Sequence, residues 1–139
     1  MAKTYEHGAV RFDYPENWTL EEESDGGQQM ATVYSPGGGF WSLSIARREV
    51  DPQSLVETAV QVLREEYDEV DAEAVDVVIG EQPTIGYDVN FYCLDLTNTT
   101  LIRSFRSAAA TCLVIAQAED REFDKIAPVF DAMLHSLAK

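Results

Sequence analysis

Bases are scarce in this chain: 10 Lys and Arg face 25 Asp and Glu, a formal charge of −15 over 139 residues. A surface of that sign repels phosphate, so nucleic acid is not an expected partner, and it is repelled equally by an anionic leaflet. Long hydrophobic runs are missing too. No segment approaches the roughly 20 consecutive apolar residues of a spanning helix, which excludes insertion as a helix. Histidine is limited to His7 and His135 at opposite ends, neither with a second His or Cys at ligand spacing, so no metal site is expected. Cysteine is limited to Cys93 and Cys112, each inside an apolar strand-like run, where both read as small buried hydrophobes in a reducing compartment. The N-terminal residues lack the apolar stretch of a secretory signal, and the expected location is the cytoplasm.

Enzyme signatures are likewise absent. Pro36-Gly37-Gly38-Gly39 is followed by Phe40-Trp41 and not by the Lys-Ser or Lys-Thr of a phosphate loop, so it reads as a hairpin loop. No Gly-x-Ser-x-Gly elbow supports a nucleophilic serine, and nothing calls for a cofactor.

What is present is a scaffold. The hydrophobic fraction of 45% is ordinary for a globule. The length suits one domain over residues 1–139, with order expected from about residue 8 to 137. Val10 to Tyr14 alternates as a short strand, Pro15-Glu16-Asn17 breaks it, and Trp18 to Leu20 follows as a hairpin or corner. Glu21 to Gln29 is polar around Asp25-Gly26-Gly27, and Met30 to Tyr34 resumes as a strand. Ser35-Pro36-Gly37-Gly38 predicts a type II turn, with Pro second and Gly third. Trp41, Leu43 and Ile45 alternate with Ser42, Ser44 and Ala46, giving one heavy face to meet a helix and one small polar face.

Asp51-Pro52 opens a helix, the carboxylate as N-cap and Pro where its missing N–H is harmless. Leu55, Val56, Ala59, Val62, Leu63 and Tyr67 supply its stripe. Val75 to Ile79 reads as a strand. Tyr87 to Leu96, Leu101 to Ser107 and Thr111 to Ala118 read as three antiparallel neighbours, with turns at Thr97-Asn98 and near Ala108 to Ala110. A last helix, capped by Glu119 or Asp120, carries Phe123, Ile126, Ala127, Phe130, Met133, Leu134 and Leu137 on one face. Pro128 predicts a kink or break between Asp124 and Pro128. The fold class expected is α+β, an antiparallel sheet flanked by helices in a three-layer α/β/α sandwich.

Two polar constellations stand out. Asp88, Asn90 and Tyr92 share one face of their strand, and with Arg106 they form a candidate site for an anionic ligand, whether in a binding protein or an unrecognised enzyme. Arg103, in phase with Leu101 and Phe105, needs a carboxylate such as Asp88 or Asp95 if that set is buried. Glu65, Glu66, Asp68, Glu69 and Asp71, continuing to Glu73 and Asp76 with no base between, form a candidate partner-binding patch. They crowd a helix C-terminus, where the dipole disfavours anions.

The segment Phe12-Asp13-Tyr14-Pro15-Glu16-Asn17-Trp18, the early hairpins, Asp51-Pro52, and Pro128-Val129-Phe130 with Met133-Leu134-x-Ser136-Leu137 together resemble the PsbP/Mog1-like domains, bacterial relatives of unknown function among them. The resemblance implies an antiparallel sheet between helical layers. It also implies a protein-binding or adaptor role, since family members include photosystem subunits, a Ran-binding import factor and secretion-effector chaperones. The expected partner is another protein. No contact motif of those members matches here, and no binding residue is carried over.

Overall fold

A computed structural model describes residues 1–138 and shows a sheet with two unlike covers. Strands β1 (Ala2–His7) and β2 (Val10–Pro15) form a separate antiparallel hairpin. The seven-stranded sheet comprises β3 (Thr19–Asp25), β4 (Gln28–Tyr34), β5 (Phe40–Ala46), β6 (Asp71–Ile79), β7 (Gln82–Cys93), β8 (Leu96–Arg106) and β9 (Thr111–Glu119). Its order is β3-β4-β5-β9-β8-β7-β6, with every pair antiparallel. Helix α1 (Pro52–Glu66) leaves β5 near the centre and leads to β6 at the far edge, while α2 (Asp120–Leu137) follows the central β9.

Alternation along the strands divides the apolar residues into two cores. On one face Trp41, Leu43, Phe105, Cys112, Val114 and Ala116 meet α2 and the β1–β2 hairpin. The centre there is aromatic: the Phe12 ring lies 4.6 Å from Trp41 and 5.2 Å from Tyr5, and Trp18 meets Phe130 edge-on at 5.9 Å. The heavy face of β5 thus meets a hairpin as well as a helix. On the other face Val89, Phe91, Ile102 and Leu113 receive Val56 and Val60 of α1. Cys93 packs with this second core and Cys112 with the first, so the two thiols lie on opposite faces and both are free.

Helix ends follow the local chemistry. Asp51 is extended and its carboxylate accepts the Gln53 N–H at 3.2 Å, with Pro52 as the first helical residue. Glu119 caps α2, accepting from Arg121 and Glu122 at 2.8 and 3.2 Å. The Glu119 carboxyl is held below its usual pKa by the Arg121 side chain first and then by those backbone donors, burial opposing. Helix α2 runs unbroken through Pro128. Phe130, Met133, Leu134 and Leu137 are buried after it and Phe123 and Ile126 half-buried before it, so one apolar stripe holds both halves to the same surface.

Several segments differ from the pattern-based expectation. Residues 2–7, ahead of the expected ordered region, form β1, in which only Tyr5 is buried and alternation is therefore illegible. Val10–Pro15 pairs with β1 and not with the next strand, making Glu16-Asn17-Trp18 a corner between sheets. The polar run from Glu21 contains edge strand β3, which turns through Gly26 and Gly27 at φ +56° and +89° into β4. Gly38 N–H reaches Ser35 O at 3.2 Å, but the left-handed residue is Gly38 at φ +99°, so the loop is no type II turn. The β7–β8 turn falls at Leu94-Asp95 instead of Thr97-Asn98, with φ +53° and +64°. Strand β6 begins at Asp71, four residues before the apolar run, because acids suit an exposed edge.

Phe130 is 1% exposed. Phe130→Ala should cost about 3–5 kcal/mol and lower the urea midpoint by about 2 M at a slope near 2 kcal/mol per M; an unchanged midpoint contradicts this packing. Leu94 is 92% exposed and adopts a conformation that suits Asn or Gly. The double replacement Leu94→Asn with Asp95→Gly should raise the melting temperature by about 2–4 °C, read by calorimetry, through relief of about 1 kcal/mol of backbone strain.

Candidate functional site

The four residues proposed for an anionic-ligand site are not brought together. Asp88, Asn90 and Tyr92 do share a face of β7, but antiparallel register places Asp88 opposite Leu101, in phase with Arg103 and Phe105. Arg106 is in phase with Ile102 and Ser104 and emerges on the other face, where its guanidinium donates to Arg48 O and Val50 O at 2.8 and 3.1 Å. It clamps the segment that leads into α1. Asn90 donates to Thr99, which donates to Asp120, while Tyr92 is 54% exposed.

The cation facing Asp88 is Arg103. Its side chain is 11% exposed, donates to Asp88 at 2.8 Å, and also donates to Ile102 O at 3.0 Å and Tyr87 O at 3.3 Å. Its register partner is Gly86, where a β-carbon would sit 1.7 Å from Ile102 O. Among the described residues no buried side-chain polar atom lacks a hydrogen bond, so this pair is a satisfied element of the core.

The acids of the partner-binding candidate are dispersed over three elements. Glu65 and Glu66 end α1, Asp68 and Glu69 lie in the following loop, and Asp71 opens edge strand β6, where Glu73 and Asp76 continue. Arg64 donates to Val70 O across that loop at 3.3 Å. Of these acids Glu66 lines a concavity.

That concavity arises from how α1 sits. The helix packs on β7, β8 and β9, so the same face of β4 and β5 lies uncovered beside it. The result is a groove of about 440 Å³. Its floor is Met30, Phe40, Ser42 and Ser44, with Leu113 and Ile115 below the helix; its wall is Leu55, Ala59, Val62 and Leu63; Glu66 and Tyr67 close one end. The floor is low because this is the small polar face of β5, the heavy one being turned to the hairpin. Met30 is 37% exposed, Val62 52%, and Tyr34, beside Phe40 in register, 41%. Across from α1 stands β3, whose Glu21 and Glu23 pair with Thr32 and Met30 in register and so flank the same face. They raise the Tyr34 hydroxyl pKa, adding to the larger effect of burial.

Chemically the groove offers apolar surface, hydroxyls and an acidic rim. Tyr67 is raised by burial first, then by the Glu66 charge and Cys93, which keeps it a neutral phenol at physiological pH. Burial pushes the Cys112 thiol up to about 11, on the opposite face. No group of three His, Cys, Asp or Glu gathers at metal-binding distance among the described residues. A second cleft, of about 470 Å³, lies between Met1, the end of β2 and α2; there His135 sits 3.5 Å from Asp131. No helix among the described residues is long and apolar enough to cross a membrane.

The groove was partly legible beforehand. Val62 belongs to the expected helix stripe yet is 52% exposed, whereas Leu55, Val56, Ala59, Leu63 and Tyr67 of that stripe do pack on the core together with Val60, which lies outside it. Met30 carried no such signal, because a strand alternation does not say which face is covered.

No protein-family model matches the sequence, and no curated protein matches it. Solved structures do match, over nearly the whole chain. The cyanobacterial PsbP (CyanoP) of Synechocystis sp. PCC 6803 is similar with a TM-score of 0.72 at 10% identity, covering 97% of this chain and 90% of that one. The Ran-binding protein Mog1p of Saccharomyces cerevisiae gives 0.61 at 12%, covering 99% and 93%. LpqN of Mycobacterium tuberculosis, involved in cell envelope biogenesis, gives 0.50 at 15%, covering 100% and 88%. At such identities likeness speaks for architecture alone, here an antiparallel sheet between two covers. The chain has a PsbP/Mog1-like fold.

Proposed function

We propose that this chain is a non-enzymatic protein-binding or adaptor domain that receives its partner in the groove between α1 and the β4–β5 face. The observation that carries the reading is the gathering of Met30 and Val62, two exposed large apolar side chains, on one concave surface, with Tyr34 continuing the same sheet face beside Phe40. Monomer surfaces scatter such residues singly, and a contiguous rimmed patch marks an interaction site. Among the described residues, those that line the groove include one carboxylate, Glu66, and no His, Cys, Lys or Arg to pair with it as the acid and base of a catalytic pocket. Glu66 belongs to the binding surface, and Glu65, Asp68, Glu69 and Asp71 extend its sign beyond the groove's end. That one fold neighbour is a Ran-binding protein supports protein binding as a use of this scaffold. The −15 charge argues against nucleic acid and anionic membrane as partners, and two unpaired thiols suit the cytoplasm.

Val62→Asp tests the reading, with Val78→Asp on edge strand β6 as an exposed control outside the groove. Both are surface replacements, so both melting temperatures should stay within about 2 °C of the parent. In quantitative affinity capture from native cytoplasm, the Val62→Asp protein should lose specific partners that the Val78→Asp protein retains. Identical partner sets for all three proteins would remove the groove from recognition.

A further inference from the structure

We infer that the occupant of the groove is a basic amphipathic helix of about three turns, an inference that rests on the protein-binding reading and specifies its partner. Backbone hydrogen bonding selects a helix. The floor is the face of β4 and β5, whose peptide groups are already paired with β3, with each other and with β9. An extended peptide lying there would find no backbone donors or acceptors and would leave its own unpaired, whereas a helix satisfies its backbone internally. Length agrees: the wall from Leu55 to Tyr67 is 13 residues of α1 and its cap, about 18 Å from end to end, which matches anchors at i, i+3, i+4 and i+7.

Charge fixes the sign of the flanks. Glu21 and Glu23 stand along one side, Glu66 at the end, and among the described residues no Lys or Arg lines the groove. An apolar stripe flanked by Lys or Arg matches this rim, while a second copy of a −15 chain is repelled by it. The small side chains Ser42 and Ser44 leave depth for leucine-sized anchors, and Met30 can reshape around them.

The probe is a fluorescein-labelled peptide of about 18 residues, Leu and Lys only, with leucines at helical i, i+3, i+4 and i+7 spacing, long enough for marginal helicity in water. Two companions accompany it: a scrambled peptide of identical composition, and the same stripe with Glu in place of Lys. Fluorescence anisotropy with the full chain should show saturable one-to-one binding of the striped Leu/Lys peptide. The scrambled and Leu/Glu peptides should bind at least about tenfold more weakly. Val62→Asp should weaken the striped peptide about tenfold, and the Glu21→Gln, Glu23→Gln, Glu66→Gln triple variant about fivefold, with a flatter salt dependence. Equal binding of the scrambled peptide would reduce the attraction to net charge and overturn the inference, as would tight binding of the Leu/Glu peptide or an unaltered triple variant. If the striped peptide does not bind while Val62→Asp still loses its captured partners, the occupant class falls and the docking surface stands. If Val62→Asp changes neither measurement, both fall.

Discussion

One seven-stranded sheet with two unequally covered faces underlies everything else in this protein. A strand offers side chains alternately up and down, so a central sheet must bury both faces or leave one partly open. Here one face is closed twice over, by α2 and by the β1–β2 hairpin, whose Phe12 meets Trp41 and is itself backed by Tyr5. The other receives α1 alone, and 15 residues of helix cannot roof seven strands. The uncovered strip is the groove. Its position follows from α1 packing on Val89, Ile102 and Leu113, on the β6 side of the centre.

Within the closed face the chain tolerates one ion. Burying Arg103 is costly in a low-dielectric interior unless its charge is met, and here Nη1 donates to Ile102 O and Tyr87 O and Nη2 to Asp88. Asp88 remains 42% exposed on its side chain, so the pair opens toward water at one end. Gly86, opposite Arg103 in register, lets the two backbones approach closely; a side chain there would collide with the β8 backbone. The same hairpin ends in a left-handed Leu94-Asp95 turn, and Glu69, at φ +54°, lies near that end since Asp71 pairs with Asn90. The non-glycine residues in this region of backbone space thus collect where β6, β7 and β8 meet, beyond the packed core.

The acidic excess has a structural use that needs no ligand. Both edges of the sheet, β3 with Glu21, Glu22, Glu23 and Asp25, and β6 with Asp71, Glu73 and Asp76, carry carboxylates on exposed backbone that would otherwise template strand addition. Like charge at both edges keeps copies apart. The consequence for the groove is that its β3 rim is acidic for the sake of the edge, and any occupant must complement it.

Local chemistry in the sequence determined a great deal: the two helices and their caps, the alternation of β5 and of β7 through β9, the α+β class, and the need of Arg103 for a carboxylate. Each depends on residues within a few positions of one another, where helical or strand periodicity and capping act. Hidden from that reading were β1 and β3, in which few side chains are buried and polar edge positions erase the alternation. The tertiary structure alone decided which faces coincide. Arg106 and Asp88 each lie on a polar face of their own strand, and only the register pairing Asp88 with Leu101 sets those faces on opposite sides of the sheet. By the same rule Met30, Ser44 and Val62, far apart in the chain, become one groove, because pairing register and the seat of a helix are set by long-range packing and not by neighbours in sequence.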